Sequence, residues 1–210
     1  MIQSNVETFI GCESSFEEAS VVLYGAPFDS TTSFRPGARF GPSAMRHESF
    51  GLETYSPYQD RDLMDIRVFD SGDLELCFGS SEMALSDIEK RAEEILKAEK
   101  IPVLLGGEHL VTLAAVRAVF NKYPDLHIIH FDAHADLRED YLGVQYSHAC
   151  VLRRCWELLG DDRIYQFGIR SGDREEFRWA REGHVKMHKF NLDGLAEVIE
   201  KLQGKPVYIT

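Results

Sequence analysis

A short run of histidine and aspartate residues lies in the middle of the chain, directly after an apolar segment. Asp132, His134 and Asp136 occupy positions i, i+2 and i+4, and in an extended segment this spacing points all three side chains to one side. A mixture of carboxylate and imidazole ligands favours Mn²⁺, Fe²⁺ or Zn²⁺ over Ca²⁺ or Mg²⁺. The pattern therefore predicts a metal site, although the same residues could merely cap a loop through hydrogen bonds.

Two further histidines are candidates for the same site. His109 follows the pair Gly106-Gly107, which permits a tight turn between a strand and a helix, and it could complete a shared metal cage. A lone histidine at such a turn is more often structural. His148 lies in the loop that must cross over the site, where it could shuttle protons near neutral pH. A histidine at a helix N-terminus with no catalytic task fits the local sequence equally well.

Alternating strands and helices must position these residues. Short β-branched runs alternate with helical patterns, which is typical of βαβ units around a parallel sheet. We predict strands over residues 21–25, 66–69, 101–105, 126–131, 163–169, 185–187 and 206–210, and helices over 82–99, 109–120, 148–159, 173–181 and 193–202. The candidate ligands follow two strands at their carboxyl ends, where open α/β sheets usually carry their sites. We expect the turn-prone segment 70–73 to end the second strand and Ser81 to cap the next helix.

Length and composition limit the class of protein. A chain of 210 residues with 44% hydrophobic side chains has enough apolar material for one domain over residues 1–210, which excludes disorder. Its 35 acidic and 23 basic residues give a net charge of −12, which disfavours binding to nucleic acid. Four cysteines without a CxxC pair indicate neither a zinc knuckle nor a disulfide scaffold. With no signal peptide and no apolar run near 20 residues, we expect a soluble cytoplasmic protein that contacts no membrane.

Five stretches of the chain carry a family resemblance: LLGGEH at residues 104–109, HFDAHAD at 130–136, YGAPFD at 24–29, RPGARFGP at 35–42 and FGIRS at 167–171. The first two resemble the first two signatures of the ureohydrolases, the arginase and agmatinase group of binuclear manganese enzymes. The other three are similar to stretches of the agmatinase branch in particular. From residue 21 onward, the chain is identified as a member of this family.

The resemblance implies a fold and a set of site residues. The fold would be an arginase-like three-layer α/β/α arrangement with a mostly parallel central sheet. Four residues would bind metal, namely His109, Asp132, His134 and Asp136. Asp132 would bridge two Mn²⁺ ions per subunit, and Asp136 would also carry a proton. His148 would fall near the family's catalytic histidine.

Other stretches of the resemblance have simpler interpretations. Asp173 and Glu176 lie where arginases contact the far end of their substrate, a region in which agmatinases vary. We interpret Arg35, Pro36, Gly37 and Arg39 as residues that shape and pack a loop.

Two departures from the family pattern bear on activity. Leu110 stands where the family often has a hydroxyl residue, which is a minor change in packing or capping. The family's third signature, an Asp-x-Asp pair after a later strand, is absent from the 210 residues, and residues 207–210 resemble the strand that leads into it. The family has six protein ligands and this chain supplies four, so we expect that the C-terminal part of the domain is missing.

The predicted function is manganese-dependent hydrolysis of a guanidino compound, with agmatine, which yields putrescine and urea, as the first substrate to consider. A resonance-stabilised guanidinium needs a strong nucleophile, and a hydroxide that bridges two cations would supply it. Arginine, guanidinobutyrate and formiminoglutamate remain open as substrates, and the resemblance implies a homo-oligomer, either a trimer or a hexamer. The alternative is a non-catalytic, truncated homologue that binds metal or assembles with other subunits.

Overall fold

The computed structural model describes residues 7–210. The chain forms two compact units, Met1–Glu108 and His109–Thr210. Each unit has its own parallel sheet together with helices. The alternation of strands and helices and the parallel pairing predicted from the sequence are both confirmed. The assignment of residues 1–210 to one domain stays a prediction. Within residues 7–210, no helix combines the length and the apolarity that a membrane span requires.

The first unit is built around a parallel sheet whose central strand is the first one in the chain. Its elements are β1 (Val21–Ala26), α1 (Gly41–Ser49), β2 (Tyr55–Ser56), β3 (Arg61–Asp62), β4 (Val68–Asp73), α2 (Ser81–Lys97) and β5 (Ile101–Gly106). Strand β1 lies between β4 and β5 and runs parallel to both. Strands β2 and β3 form a small antiparallel pair. The central position of β1 explains its continuous apolar sequence, since it is buried along almost its whole length.

Helix α2 illustrates how apolar spacing determines a buried face. Its residues recur at intervals of three and four, which places them on one side of a helix. The residues buried on that side are Ala84, Leu85, Ile88, Ala92, Ile95 and Leu96. The predicted cap was wrong by one residue, because Ser80 and not Ser81 accepts a hydrogen bond from the Met83 N–H, at 3.2 Å. Ser80 has the extended backbone that an N-cap residue requires, with φ −147° and ψ 115°.

Strand β4 differs from its prediction at both ends. The sequence predicts a strand over residues 66–69 and a turn over 70–73, whereas β4 continues from Val68 to Asp73. A buried arginine explains the difference, since Arg46 Nε lies 2.7 Å from Asp70 Oδ2 and Arg46 also pairs with Asp73. Because their carboxylates have a cationic partner, these turn-prone residues stay in the strand.

The second unit contains a four-stranded parallel sheet with helices between its strands. Its elements are α3 (Val111–Lys122), β6 (His127–Phe131), α4 (Val151–Leu159), β7 (Ile164–Ile169), α5 (Arg174–Arg181), β8 (Lys186–Lys189), α6 (Leu195–Lys201) and β9 (Val207–Ile209). The strand order is β8-β7-β6-β9 and every neighbouring pair is parallel. Strand β6 is therefore central, which places its carboxyl end between those of two neighbours.

All four helices of this unit begin later than predicted, and two of these differences concern predicted functional histidines. Helix α3 covers Val111–Lys122 rather than residues 109–120, which leaves His109 in the connection before it. Helix α4 begins at Val151 because His148–Cys150 form a turn of 3-10 helix. Ser147 caps that turn by accepting a hydrogen bond from the Ala149 N–H at 3.3 Å. Both predicted functional histidines therefore lie before a helix rather than inside it.

Candidate metal centre

Three of the predicted ligands, Asp132, His134 and Asp136, lie in the loop that follows β6. Peptide groups after β7 fix this loop, since the N–H groups of Arg170 and Ser171 both donate to the Ala133 carbonyl at 2.8 Å. In return, the Ala135 N–H donates to the Ser171 carbonyl at 3.0 Å. These bonds extend the pairing of β6 with β7 beyond the ends of both strands. The loop is therefore held by backbone hydrogen bonds, which a metal site needs if its ligands are to be preorganised.

A left-handed turn at Asp136 ends this loop. Its φ of 53° is uncommon for a residue with a side chain. Its carbonyl accepts hydrogen bonds from the N–H groups of Leu152 and Arg153, at 3.0 and 3.3 Å. The following N–H group, of Leu137, donates to Glu176 Oε1 at 2.9 Å. Helices α4 and α5 thus hold a backbone conformation that would otherwise cost of order 1 kcal/mol, and the carboxylate of Asp136 points at the other candidate ligands.

Four side chains converge beyond the end of β6. They are His109, His130, Asp132 and Asp136, and each offers a ligand atom that lies within 4.8 Å of the others. The Nδ1 atom of His109 lies 2.6 Å from Asp136 Oδ2 and 3.7 Å from Asp132 Oδ2. The Nε2 atom of His130 lies 3.2 Å from Asp132 Oδ2. Imidazole nitrogens with carboxylate oxygens are a donor set that suits Mn²⁺, Fe²⁺ or Zn²⁺, so these residues fit a divalent cation of that kind.

The second ring nitrogen of His109 points away from the carboxylates. Its Nε2 atom lies 3.1 Å from Thr210 Oγ1, which in turn lies 3.0 Å from Thr112 Oγ1. A hydroxyl group can accept the Nε2 proton. His109 is therefore oriented with Nδ1 toward Asp132 and Asp136, as a ligand would be.

The structure brings together three of the four predicted ligands. His109, Asp132 and Asp136 belong to the four-residue group, whereas His134 does not. The side chain of His134 is 64% exposed, and its Nδ1 lies 3.3 Å from Asp132 Oδ1. His148, the predicted proton shuttle, also lies outside the group; it is half-buried, with its ring packed edge-on against Tyr141 at 5.6 Å between centroids.

His130 is the member of the group that the sequence reasoning did not select. It is fully buried in β6, two positions before Asp132. The alternation that grouped Asp132 with His134 also includes His130, since residues i and i+2 of a strand share a face. That signal was available in the sequence.

The electrostatics of the group favour the protonation states that a metal requires. Burial lowers the pKa of His130 and keeps its imidazole neutral. Burial alone would raise the pKa of Asp132, but hydrogen bonds from His130 and from the His134 N–H outweigh it, so the pKa lies well below the ordinary value. Metal ligation needs neutral imidazoles and ionised carboxylates, and the shifts at His130 and Asp132 both favour those forms.

Asp173 and Glu176 form a capping box at the start of α5. Asp173 Oδ1 accepts a hydrogen bond from the Glu176 N–H at 2.9 Å, and Glu176 Oε2 accepts one from the Asp173 N–H at 2.7 Å. Glu176 Oε1 also accepts the hydrogen bond from the Leu137 N–H. With Arg138 beside both carboxylates, these residues stabilise the loop and the helix whether or not either of them meets a substrate.

Two of the motifs that carry the family resemblance shape loops of the first unit. A Cβ atom on Gly107 would lie 2.1 Å from the Phe28 carbonyl oxygen, so the close approach of these two segments requires glycine. Next to it, the Glu108 carboxylate accepts hydrogen bonds from the N–H group of Thr31 at 3.0 Å and from its hydroxyl at 2.6 Å. This bonding ties the segment 104–108 to the loop after β1.

Asp29 holds the loop that carries the motif at residues 35–42. Its Oδ2 accepts a hydrogen bond from the Gly37 N–H at 2.7 Å, and its Oδ1 lies 2.5 Å from Arg39 Nε. These contacts support the interpretation of Gly37 and Arg39 as loop-shaping residues.

The fold consists of parallel α/β sheets, and imidazole and carboxylate side chains gather after one of the strands. These features define a candidate metal-dependent enzyme. Comparisons with known proteins identify its family. Residues 19–210 match the model of the arginase family. The agmatinase of Bacillus subtilis strain 168 is 51% identical over 205 residues, which are 97% of this chain and 71% of that protein. The N(1)-aminopropylagmatine ureohydrolase of Thermococcus kodakarensis is 40% identical over 199 residues, covering 92% of this chain and 67% of its own length.

A solved structure shows the same relationship in three dimensions. The crystal structure of the agmatine ureohydrolase of Thermoplasma volcanium superposes with a TM-score of 0.88 and 36% identity, over 98% of this chain and 71% of that one. The chain belongs to the arginase family. The predicted family, its agmatinase branch, the arginase-like α/β fold and the assignment as an enzyme of this group are thereby confirmed.

Proposed function

We propose that this protein hydrolyses the guanidino group of agmatine and releases putrescine and urea in a Mn²⁺-dependent reaction. One observation carries the proposal. His109, Asp132 and Asp136 present ligand atoms within 4.8 Å of one another beyond the carboxyl end of β6. The relatives named as agmatinases suggest the substrate. Because putrescine is a diamine, the reaction would contribute to polyamine biosynthesis.

Two Mn²⁺ ions per subunit are proposed, with His109, Asp132, His134 and Asp136 as ligands. Asp132 is the best placed to serve both ions, because its two oxygens lie near different proposed ligands: Oδ2 lies 3.7 Å from His109 Nδ1, and Oδ1 lies 3.3 Å from His134 Nδ1. Bound there, the ions would act as Lewis acids and lower the pKa of a water molecule toward neutrality.

Proton transfer to the leaving nitrogen is assigned to two residues. The departing amine must receive a proton, and the carboxylate of Asp136, only 11% exposed, is proposed as its carrier. His148 is proposed as the link to solvent because it is half-buried in the turn that precedes α4. The N–H of Leu152 in that helix donates to the Asp136 carbonyl, so both residues are anchored at the same helix start.

Charge and exposure bear on how the substrate is bound. A net charge of −12 favours the approach of a small guanidinium compound. Of the two acidic residues at α5, Asp173 is the better candidate to meet the far end of the substrate, because its side chain is 38% exposed while that of Glu176 is 3% exposed. We further propose that the protein forms a homo-oligomer, either a trimer or a hexamer, and that it is located in the cytoplasm.

Aminopropylagmatine is a second candidate substrate. The Thermococcus kodakarensis relative, 40% identical to this chain, is named for its action on that compound. The two substrates share the guanidino group and differ in the length of the amine beyond it. Urea release from each, compared as kcat/KM, distinguishes them.

The experiment uses the protein produced from its own gene, stripped of metal with a chelator. We expect urea to form from agmatine only after Mn²⁺ is restored, and faster than from arginine or guanidinobutyrate. Asp132→Asn should abolish this activity, because it removes a charged ligand from the centre of the group. Asp125→Asn is the matched control, since Asp125 lies just before β6 and pairs with Lys205 and Arg163 on the surface. Urea formation that needs no metal, or that survives Asp132→Asn, would refute the proposal.

A further inference from the structure

His130 has two possible roles in the group beyond β6. Its Nε2 atom faces Asp132 Oδ2 at 3.2 Å, so it could be a further metal ligand or a hydrogen-bond donor to a ligand. The two roles need different tautomers. A ligating Nε2 must carry no proton, whereas a donating Nε2 must carry one.

The hydrogen bonds of Gln166 determine which of these tautomers is present. It lies on β7 directly across from His130 in the strand pairing, and it is fully buried. Its Nε2 atom lies 2.7 Å from the Ala135 carbonyl oxygen and 3.1 Å from His130 Nδ1. A carbonyl oxygen only accepts hydrogen bonds, so the amide nitrogen of Gln166 must face the Ala135 carbonyl. The reversed amide would bring Gln166 Oε1 against the Ala135 oxygen, and neither atom could donate.

The second N–H of the same amide group then donates to His130 Nδ1. An Nδ1 atom that accepts a hydrogen bond carries no proton, so the neutral imidazole carries its proton on Nε2. From there it donates to Asp132 Oδ2. The sequence of bonds therefore runs from the Ala135 carbonyl through Gln166 and His130 to Asp132, entirely within the second unit.

Asp132 is thereby held at both oxygens. Oδ2 accepts the hydrogen bond from His130, and Oδ1 accepts one from the His134 N–H at 2.9 Å. A carboxylate offers about four lone-pair directions, so each oxygen keeps one for a cation. Two fixed oxygens with a lone pair each are what a carboxylate needs in order to serve two cations.

We propose that His130 is a positioning residue, fixed by Gln166 as the Nε2–H tautomer, that orients the carboxylate of Asp132 and does not itself bind metal. This inference deepens the proposed function and rests on it for the metal, but the tautomer belongs to the metal-free protein. Partners of this kind, which orient a ligand without touching the metal, typically change affinity by 10 to 100 fold when they are removed.

The first test is ¹⁵N NMR of the ring nitrogens of His130 in the unmodified protein, with the resonances assigned by their loss in His130→Gln. We expect the proton on Nε2 without metal, and still on Nε2 after diamagnetic Zn²⁺ is added. A proton on Nδ1 in the metal-free protein, or loss of the Nε2 proton on adding Zn²⁺, would overturn the proposal. If the protein binds neither Zn²⁺ nor Mn²⁺, the proposed function is refuted. The tautomer is still tested in that case, because it is measured in the metal-free protein.

The second test compares Mn²⁺ dissociation constants. His130→Phe keeps a flat ring without an N–H, and we expect affinity to fall by 10 to 100 fold. His130→Gln returns an N–H near the position of Nε2 and should recover most of that loss, and the absence of any recovery would contradict the donor role. His127→Phe is the matched control, since His127 is a buried histidine on the same strand and lies outside the group. It should leave Mn²⁺ affinity unchanged.

Discussion

The residues of the candidate site show how far spacing alone can predict geometry. Asp132, His134 and Asp136 follow an alternating pattern, which in a strand would place all three on one side. Strand β6 ends at Phe131, however, and Asp136 takes a left-handed conformation, with φ 53°. Alternation no longer applies beyond the strand, so His134 is largely exposed. His130 lies inside the strand, and its Nε2 atom lies 3.2 Å from Oδ2 of Asp132, the first residue beyond the strand.

Metal binding by these residues depends on pH in a defined direction. Ligation needs neutral imidazoles, and histidine ordinarily titrates near pH 6.5, so Mn²⁺ affinity and activity should rise from acid to mildly alkaline pH with release of protons. The carboxylate of Asp132 adds no step in this range, because its pKa lies well below the ordinary value. Calorimetric titration with Mn²⁺ in buffers of different ionisation enthalpy measures the proton release. Affinity that is flat between about pH 6 and 9 would contradict histidine ligation.

At the scale of elements, the sequence predicted which segments form strands and helices better than where they begin and end. The apolar spacing of α2 and the β-branched runs of β5 and β6 determine the type of element, because burial of one face outweighs local preference. Boundaries depend on single hydrogen bonds that no spacing reveals. Ser80 rather than Ser81 caps α2, and Arg46 keeps the turn-prone end of β4 in its strand.

The cap of α2 gives a direct test of such a boundary. Ser80→Ala should lower the free energy of unfolding by about 1 kcal/mol, because the Met83 N–H loses its acceptor. Ser81→Ala, in the first helical position, should change it by a few tenths at most, since alanine favours helix. Urea denaturation of both variants measures the difference. Equal effects of the two substitutions would show that the helix is capped differently.

The ion pair of Arg46 with Asp70 gives a second test in the first unit. Burial opposes ionisation of Asp70, but hydrogen bonds from Arg46 outweigh it and hold the pKa of Asp70 below its ordinary value of 3.8. A carboxylate with a lowered pKa stabilises the fold above its unfolded pKa, and that stability is lost as pH falls through the folded pKa. Asp70→Asn should therefore cost about 3 kcal/mol near pH 7, because Arg46 keeps its buried charge.

The same variant should approach the parent protein in stability as pH falls through the lowered pKa of Asp70, where Asp70 itself becomes protonated. Denaturation at a series of pH values measures this convergence. Asp125→Asn, at an exposed pair, serves as the control and should cost far less, because solvent screens surface ion pairs. A penalty for Asp70→Asn that does not shrink with falling pH would contradict the assigned ion pair.

At the scale of the whole molecule, fold class and family were both predictable from the sequence. Alternating elements predict parallel α/β sheets, and the stretches LLGGEH and HFDAHAD carry the family resemblance; the family match over residues 19–210 confirms it. The chain spans 71% of the length of the Bacillus subtilis agmatinase. Within the 210 residues, the ligands implied by the resemblance are His109, Asp132, His134 and Asp136, and the structure gathers three of them with His130.

The most direct test of this metal assignment is a Mn²⁺ titration of the protein produced from its own gene, followed by electron paramagnetic resonance. The proposed site predicts two tightly held Mn²⁺ ions per chain with the coupled spectrum of neighbouring ions, and Asp132→Asn should lose both while Asp125→Asn keeps them. No bound Mn²⁺, a single weakly held ion, or full binding by Asp132→Asn would contradict the assignment and favour a non-catalytic role.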